Sequence, residues 1–192
     1  MVWILIVLSV AIFLFFLKTK KSGENKRPEF PVTWKGILDR KVLFYHNLSL
    51  ADKNRIESDI SRFLKNVRIT GVETQIDITD KLLEASSAAI PVFGFPDWDY
   101  TFLDEVLLYP GSFDSSFTIN SREETITGMV GTGVMNGKMI LSKPSLHRGF
   151  ENVTDKQNVG VHEFIHLLDG EDGNIDGIPA TLANKQFSIP WL

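Results

Sequence analysis

The first seventeen residues form one apolar run in which Ser9 is the only residue that is not hydrophobic. As an α-helix this run would be roughly 25 Å long, close to the roughly 30 Å thickness of a bilayer's hydrocarbon core. Positive charge follows the run instead of preceding it, and no small-residue cleavage site comes after it. The pattern therefore favours an uncleaved transmembrane anchor at residues 1–17 over a signal peptide. A buried core helix is the alternative, but a helix without a polar face fits it poorly.

Residues 18–31 are polar, contain two prolines and hold five of the twenty basic residues. This composition predicts a basic, flexible tether between the anchor and the rest of the chain. Because positive charge next to a membrane span stays on the cytoplasmic side, we expect a single-pass protein of the cell membrane. Its soluble domain would lie in the cytoplasm.

The body, residues 32–192, mixes periodicities of helix and strand. Ile56, Ile60, Phe63 and Leu64 recur at helical spacing and predict an amphipathic helix that begins after Ser49. The other predicted helices are a partly helical segment at 34–48 and a helix from Thr79 or Asp80 to Ala89, which ends before Pro91. Strands are predicted near 67–72 and at 106–109, and a turn with exposed aromatics at 94–100. Two further strands, at 125–134 and 138–141, are predicted to form a hairpin around Asn136-Gly137. Without a regular βαβ alternation, the predicted fold class is α+β.

Composition narrows the possible functions. The chain carries a net charge of −4, but residues 28–192 hold 15 basic and 23 acidic residues and so have a net charge of −8. This balance predicts no binding of nucleic acid. The sequence contains no cysteine, which excludes a disulfide scaffold, a thiolate metal site and a cysteine nucleophile.

Residues 162–166 read His-Glu-Phe-Ile-His. On a helix, residues four apart lie on one face, so His162 and His166 can both ligate one zinc ion. Glu163 can then act as a general base that takes a proton from the attacking water and passes it to the leaving amine. The alternative is two surface histidines on an ordinary amphipathic helix.

The flanking residues support a helix here. Asp155 is a candidate cap and Gly170 a C-terminal stop, and the predicted buried stripe is Val161, Phe164, Ile165 and Leu168.

A catalytic zinc site normally has three protein ligands. Asp169 follows at helical spacing, but it would lie about 10 Å along a continuous helix from His162, so a role at the helix end or beside a ligand is favoured over direct ligation. His147 is expected to be an ordinary polar residue. The loop after the helix lacks the twelfth-position glutamate of a calcium loop.

The segment 158–179 resembles the zinc-dependent peptidases of the Mlc titration factor A group, the glucose-regulated metallopeptidases. The matching residues are Asn158, Val159, His162, Glu163, Phe164, His166, Leu168, Asp169, Asp176, Gly177 and Pro179. Weaker similarities to the same family lie around Trp34 and at residues 107–113 and 137–142.

The resemblance implies a zincin-like fold with an active-site helix and a Zn²⁺ cofactor. It also implies aminopeptidase-like or endopeptidase activity on a peptide or protein substrate. His162 and His166 would be the zinc ligands and Glu163 the catalytic base. The family's third ligand is a glutamate on a later helix, whereas Glu171 is the last glutamate here. We therefore expect the peptidase domain at 32–192 to be incomplete at its C-terminus.

Two other functions remain open at this point. Some members of the group resemble a factor that captures a transcriptional repressor of sugar uptake, so the protein could be a regulatory binder with little or no catalysis. A catalytically inactive fragment is the third possibility, because the third ligand is missing from the sequence.

Overall fold

The computed structural model describes residues 29–95, 98–119, 125–130, 136–152 and 157–170. The predicted anchor, residues 18–28 of the tether and residues 171–192 lie outside these ranges. Within them, none of the helices combines the length and the apolar character that crossing a bilayer requires.

Helices and a mixed sheet make up the described part of the body, which confirms the predicted α+β class. The helices are α1 (Val32–Lys41), α2 (Leu43–His46), α3 (Leu50–Asn66), α4 (Ile78–Val92), α5 (Lys143–Glu151) and α6 (Val159–Asp169). The strands are β1 (Arg68–Gly71), β2 (Glu105–Tyr109), β3 (Gly128–Val130) and β4 (Lys138–Ser142).

The sheet has the order β1-β2-β4-β3. Strands β1, β2 and β4 run parallel, whereas β3 runs antiparallel to β4. The antiparallel pairing predicted for β3 and β4 is confirmed, but the register is not that of a two-residue Asn136-Gly137 turn, which would pair Met139 with Val134. Met139 pairs with Val130 instead, because the register is set by the packing of β3 on β4. Gly137 has a φ of 77°, which favours glycine. Strand β3 places its backbone at the edge of the sheet, next to α6.

Local capping sets where the helices begin. The Ser49 hydroxyl accepts a hydrogen bond from the Asp52 backbone N–H, as the sequence predicts for α3. Helix α4 begins earlier than predicted, because Asp77 is its cap and forms a reciprocal capping box with Asp80. Pro91 lies inside the last turn of α4 instead of following the helix. A proline φ near −65° is itself helical, so at this position the ring removes one hydrogen bond without ending the helix before it.

Three aromatic rings join α6 to the rest of the core. Phe164 meets Phe63 and Tyr100 edge-on, with ring centroids 5.5 and 5.0 Å away, and all three side chains are buried. The hydroxyl of Tyr100 donates to the Ala88 carbonyl of α4 at 2.9 Å. The expectation that the 94–100 segment exposes its aromatics is therefore wrong for Tyr100, because its ring completes this contact between α3, α4 and α6.

The sheet separates two apolar clusters. Alternate residues of β2 and β4 pack against the helices, and these are Val106, Leu108, Met139 and Leu141. On the opposite face, Ile140 packs with Tyr109 and Phe113. With its central strands covered on both faces, the sheet is a rigid support for α6 and for edge strand β3.

Candidate metal centre and active site

Helix α6 carries the His-Glu-Phe-Ile-His segment, and Asn158 starts it. The Asn158 side-chain oxygen accepts a hydrogen bond from the Val161 backbone N–H at 3.1 Å. Its amide nitrogen donates to the Gly149 carbonyl at 3.1 Å. The predicted cap, Asp155, is thus wrong, and it lies outside the described residues. Asn158 takes that place because its amide both accepts and donates, so it satisfies the first turn of α6 and ties this turn to α5.

His162 and His166 lie on the exposed side of α6. Their Nε2 atoms are 3.0 Å apart, and the ring centroids are 4.4 Å apart at an interplanar angle of 83°. Two imidazole nitrogens that bind one tetrahedral zinc ion at 2.0–2.1 Å are separated by roughly 3.3 Å. The two side chains therefore already converge as a pair of ligands to one ion would, and neutral imidazole is a donor that suits zinc.

Glu163 follows His162 directly and lies on the adjacent face of α6, which packs against β3. Its side chain is only 8% exposed. A Cβ atom added to Gly128 would lie 2.7 Å from both Cγ and Oε1 of Glu163, so only a glycine there leaves room for the carboxylate. Burial raises the pKa of the Glu163 carboxyl, while the charges of His162 and His166 act in the opposite direction. A raised pKa suits a group that accepts and then returns a proton near neutral pH.

The inward face of α6 packs closely against α4. Gly160 lies so near α4 that an added Cβ would be 2.3 Å from the Ser87 hydroxyl oxygen. Phe164 and Leu168 are buried, as predicted. The prediction is wrong for Ile165, which is 46% exposed, because it shares the open side of the helix with the histidines and borders a cavity beside them.

The described residues bring no third histidine, aspartate or glutamate together with the histidine pair as a metal-binding group. Helix α6 continues without a break to Asp169, whose side chain is buried. On an unbroken helix Asp169 lies about 10 Å along the axis from His162, too far to share one ion, so a role at the helix end fits better. The loop acids Glu171, Asp172 and Asp176 lie outside the described residues.

His147 has a structural role, in agreement with the sequence prediction. Its Nε2 is 2.6 Å from Asp80 Oδ1, and Lys143 Nζ is 2.8 Å from Asp80 Oδ2. Burial raises the pKa of the Asp80 carboxyl, but the bonds from Lys143 and His147 outweigh it and hold this pKa below its ordinary value. These contacts join α5 to the start of α4.

A cavity of about 550 Å³ opens beside His162, between α5 and the start of α6. Arg148 and Gly149 of α5, Asn158 and Thr127 are among the residues that line it. No sequence pattern marks Arg148, Gly149 or Thr127 as functional, whereas Asn158 belongs to the segment that resembles the peptidase family. Of them, only Asn158 carried a local signal, since Asn is a preferred helix cap; the others are recruited by packing between distant segments.

Comparison with known proteins agrees with this geometry. The chain is 28% identical over 163 residues to slr2042, an uncharacterized protein of Synechocystis sp.; the alignment covers 80% of this chain and 58% of that protein. The chain thus spans less than two thirds of the length of this relative. The family model for glucose-regulated metallo-peptidase M90 matches residues 16–192. This span is nearly the whole chain and contains the histidine pair. The chain therefore belongs to the glucose-regulated metallo-peptidase M90 family.

Proposed function

We propose that this protein is a zinc metallopeptidase that hydrolyses peptide bonds of a peptide or protein substrate. The observation that carries the proposal is the arrangement on α6. His162 and His166 converge on the open side of the helix, and the Glu163 carboxylate is held beside them against β3. Family membership supports the same class of activity.

His162 and His166 would hold the zinc ion through their Nε2 atoms. When bound, zinc polarises the substrate carbonyl and lowers the pKa of the attacking water. Glu163 takes the proton of that water and delivers it to the nitrogen of the leaving amine. Contact with Gly128 keeps the Glu163 carboxylate in one place, so it need not be ordered when substrate binds.

The remaining zinc ligand is proposed to come from outside the described residues. A metal site with two protein ligands binds zinc less tightly than the three-ligand sites of most catalytic zinc enzymes. Zinc analysis of the full chain, and of a longer reading of the gene if the frame continues, tests this directly.

We also propose that residues 1–17 anchor the protein in the cell membrane with the body in the cytoplasm. The support is the sequence alone, an apolar run followed by five basic residues. Recovery of the intact chain in the soluble fraction of lysed cells would contradict the anchor.

Glu163→Gln tests the catalytic assignment. Glutamine keeps the size of the side chain but cannot accept the proton, so the variant should retain zinc and its fold while kcat falls by about a hundredfold or more. Zinc is measured by mass spectrometry and hydrolysis with a quenched fluorescent peptide library. The matched control is Glu29→Gln at an exposed glutamate, which should leave both quantities unchanged. Equal peptidase activity in Glu163→Gln and the parent protein would remove Glu163 from this role.

An alternative function is the capture of a transcriptional repressor of sugar uptake. The net charge of −8 on residues 28–192 would suit a partner that presents a basic surface. Pull-down of a purified repressor with the parent chain and with His162→Ala separates the two functions. Capture that is equal in both forms, together with absent peptidase activity, would favour the binder.

A further inference from the structure

The cavity beside His162 has a mixed lining, in which Val159, Val161 and Ile165 are the apolar side chains. Arg148 is the only permanent charge among the described residues that line it. Thr127, Ser145, Gln157 and Asn158 contribute polar groups, and Arg148 contributes the guanidinium. At about 550 Å³ the cavity is large enough for one amino-acid side chain with part of its backbone. Because His162 belongs both to this lining and to the candidate zinc pair, a residue bound here would lie next to the reacting peptide bond.

Arg148 is the feature that gives this cavity its chemistry. In the part of the chain that the structure describes, no carboxylate forms an ion pair with its guanidinium. Glu151, one helical turn away, pairs instead with Lys41 of α1 at 3.6 Å. A cation that pairs with none of the described carboxylates, in a domain with a net charge of −8, is available to an anionic ligand. Arginine presents a planar set of donors that matches a carboxylate.

The placement of Arg148 relative to His162 is fixed by one residue. Asn158 donates a side-chain hydrogen bond to Gly149, the neighbour of Arg148, and its own carbonyl accepts from the His162 N–H at 2.9 Å. Gly149 permits this contact, since a Cβ there would be 2.9 Å from Asn158 Cα and Cγ. The end of α5 and the start of α6 are therefore held at a fixed separation, as a specificity pocket requires.

We propose that this cavity is a substrate subsite that selects a carboxylate, with Arg148 as the residue that determines specificity. The carboxylate belongs to an aspartate or glutamate next to the scissile bond, or to the C-terminus of a short peptide. The role of this cavity as a subsite for the cleaved peptide rests on the proposed function. The binding of a carboxylate by Arg148 is independent of that function.

Paired fluorogenic peptides test the proposal. One pair differs by glutamate against glutamine on either side of the cleaved bond, and a second pair differs by a free against an amidated C-terminus. The parent protein should prefer the carboxylate of one pair by about tenfold in kcat/KM, as charge-assisted hydrogen bonds predict. The pair that shows the preference identifies the source of the carboxylate.

Three variants give matched readouts. Arg148→Gln should abolish the preference, because kcat/KM for the carboxylate peptide falls to that for the neutral peptide. Arg148→Lys should keep part of it, because the charge remains but the planar fork is lost. Arg40→Gln, at an exposed arginine of α1 that does not line the cavity, should behave like the parent protein. Loss of the preference in Arg40→Gln as well would point to the overall charge of the body and overturn the role of Arg148.

A binding assay separates this proposal from the peptidase activity. Fluorescence anisotropy of the same labelled peptides with Glu163→Gln protein measures affinity without turnover. The double variant Glu163→Gln, Arg148→Gln should bind the carboxylate peptide about tenfold more weakly than Glu163→Gln alone. This result supports the subsite even if no hydrolysis is detected. Equal binding of all peptides with and without Arg148 would overturn it even in an active peptidase.

Discussion

Replacing Glu84 with glutamine should remove much of the loss of stability that this protein suffers as pH rises. Glu84 lies in the middle of α4 and is fully buried. Within the described part of the chain, neither of its carboxylate oxygens has a hydrogen-bond partner. Asp80 and Ser87, one helical turn away on either side, face α5 and α6 respectively. Glu84 therefore lies where these three helices pack together, and burial there penalises its charged form.

The size of the effect follows from the pKa. Burial raises the pKa of Glu84 from 4.5 to about 8. Between these two values the folded protein keeps a proton that the unfolded chain releases, so the free energy of unfolding decreases as pH rises. The slope is about 1.4 kcal/mol per pH unit, and the loss between pH 5 and pH 8 is about 3.5 kcal/mol. Below pH 4.5 both states are protonated and the full stability is present.

Urea unfolding followed by tryptophan fluorescence, measured at half-unit steps from pH 5 to pH 8, gives the free energy of unfolding. Glu84→Gln cannot ionise, so its curve should be flatter than that of the parent protein by the slope given above. The comparison of slopes cancels the contributions of all other titrating groups, since both proteins share them. Glu29→Gln, at an exposed glutamate, is the control and should keep the parent slope. Parallel curves for Glu84→Gln and the parent protein would refute a neutral, buried Glu84.

Two further predictions concern glycines that hold α6 in place. Gly160→Ala should lower the free energy of unfolding by about 1–3 kcal/mol, since its Cβ would collide with Ser87. Gly94→Ala is the control and should cost much less, because among the described residues beyond its chain neighbours no atom lies within 4 Å of the added Cβ. Equal urea midpoints for the two variants would contradict the close packing of α4 and α6. Gly128→Ala should displace the Glu163 carboxylate and reduce kcat/KM by about a hundredfold with zinc content unchanged. Full peptidase activity in folded Gly128→Ala protein would show that β3 does not position the base.

Short-range patterns predicted most of the elements. The spacing of Ile56, Ile60 and Phe63 gave α3, and the glycine at 137 gave the turn before β4. The histidine pair and Glu163 could be singled out as a candidate site because their spacing alone places them on one helix. These features depend on contacts between residues close in sequence, which a linear pattern records.

Sequence patterns predicted the wrong result where contacts between distant segments decide the structure. Tyr100 reads as an exposed aromatic until α3, α4 and α6 surround it. The cap of α6 depends on the Gly149 carbonyl of another helix, which no local pattern could place beside Asn158.

The sequence by itself determined that a histidine pair and a glutamate lie on one helix, and which family the chain resembles. Only the tertiary structure decided that Glu163 is buried against Gly128 and that Arg148 lines a cavity shared with His162. It also decided that Glu84 is buried with no hydrogen-bond partner among the described residues. The physical reason is that ligand spacing on a helix follows from its pitch, whereas burial and shared cavities depend on packing between helices and a sheet that are far apart in the chain.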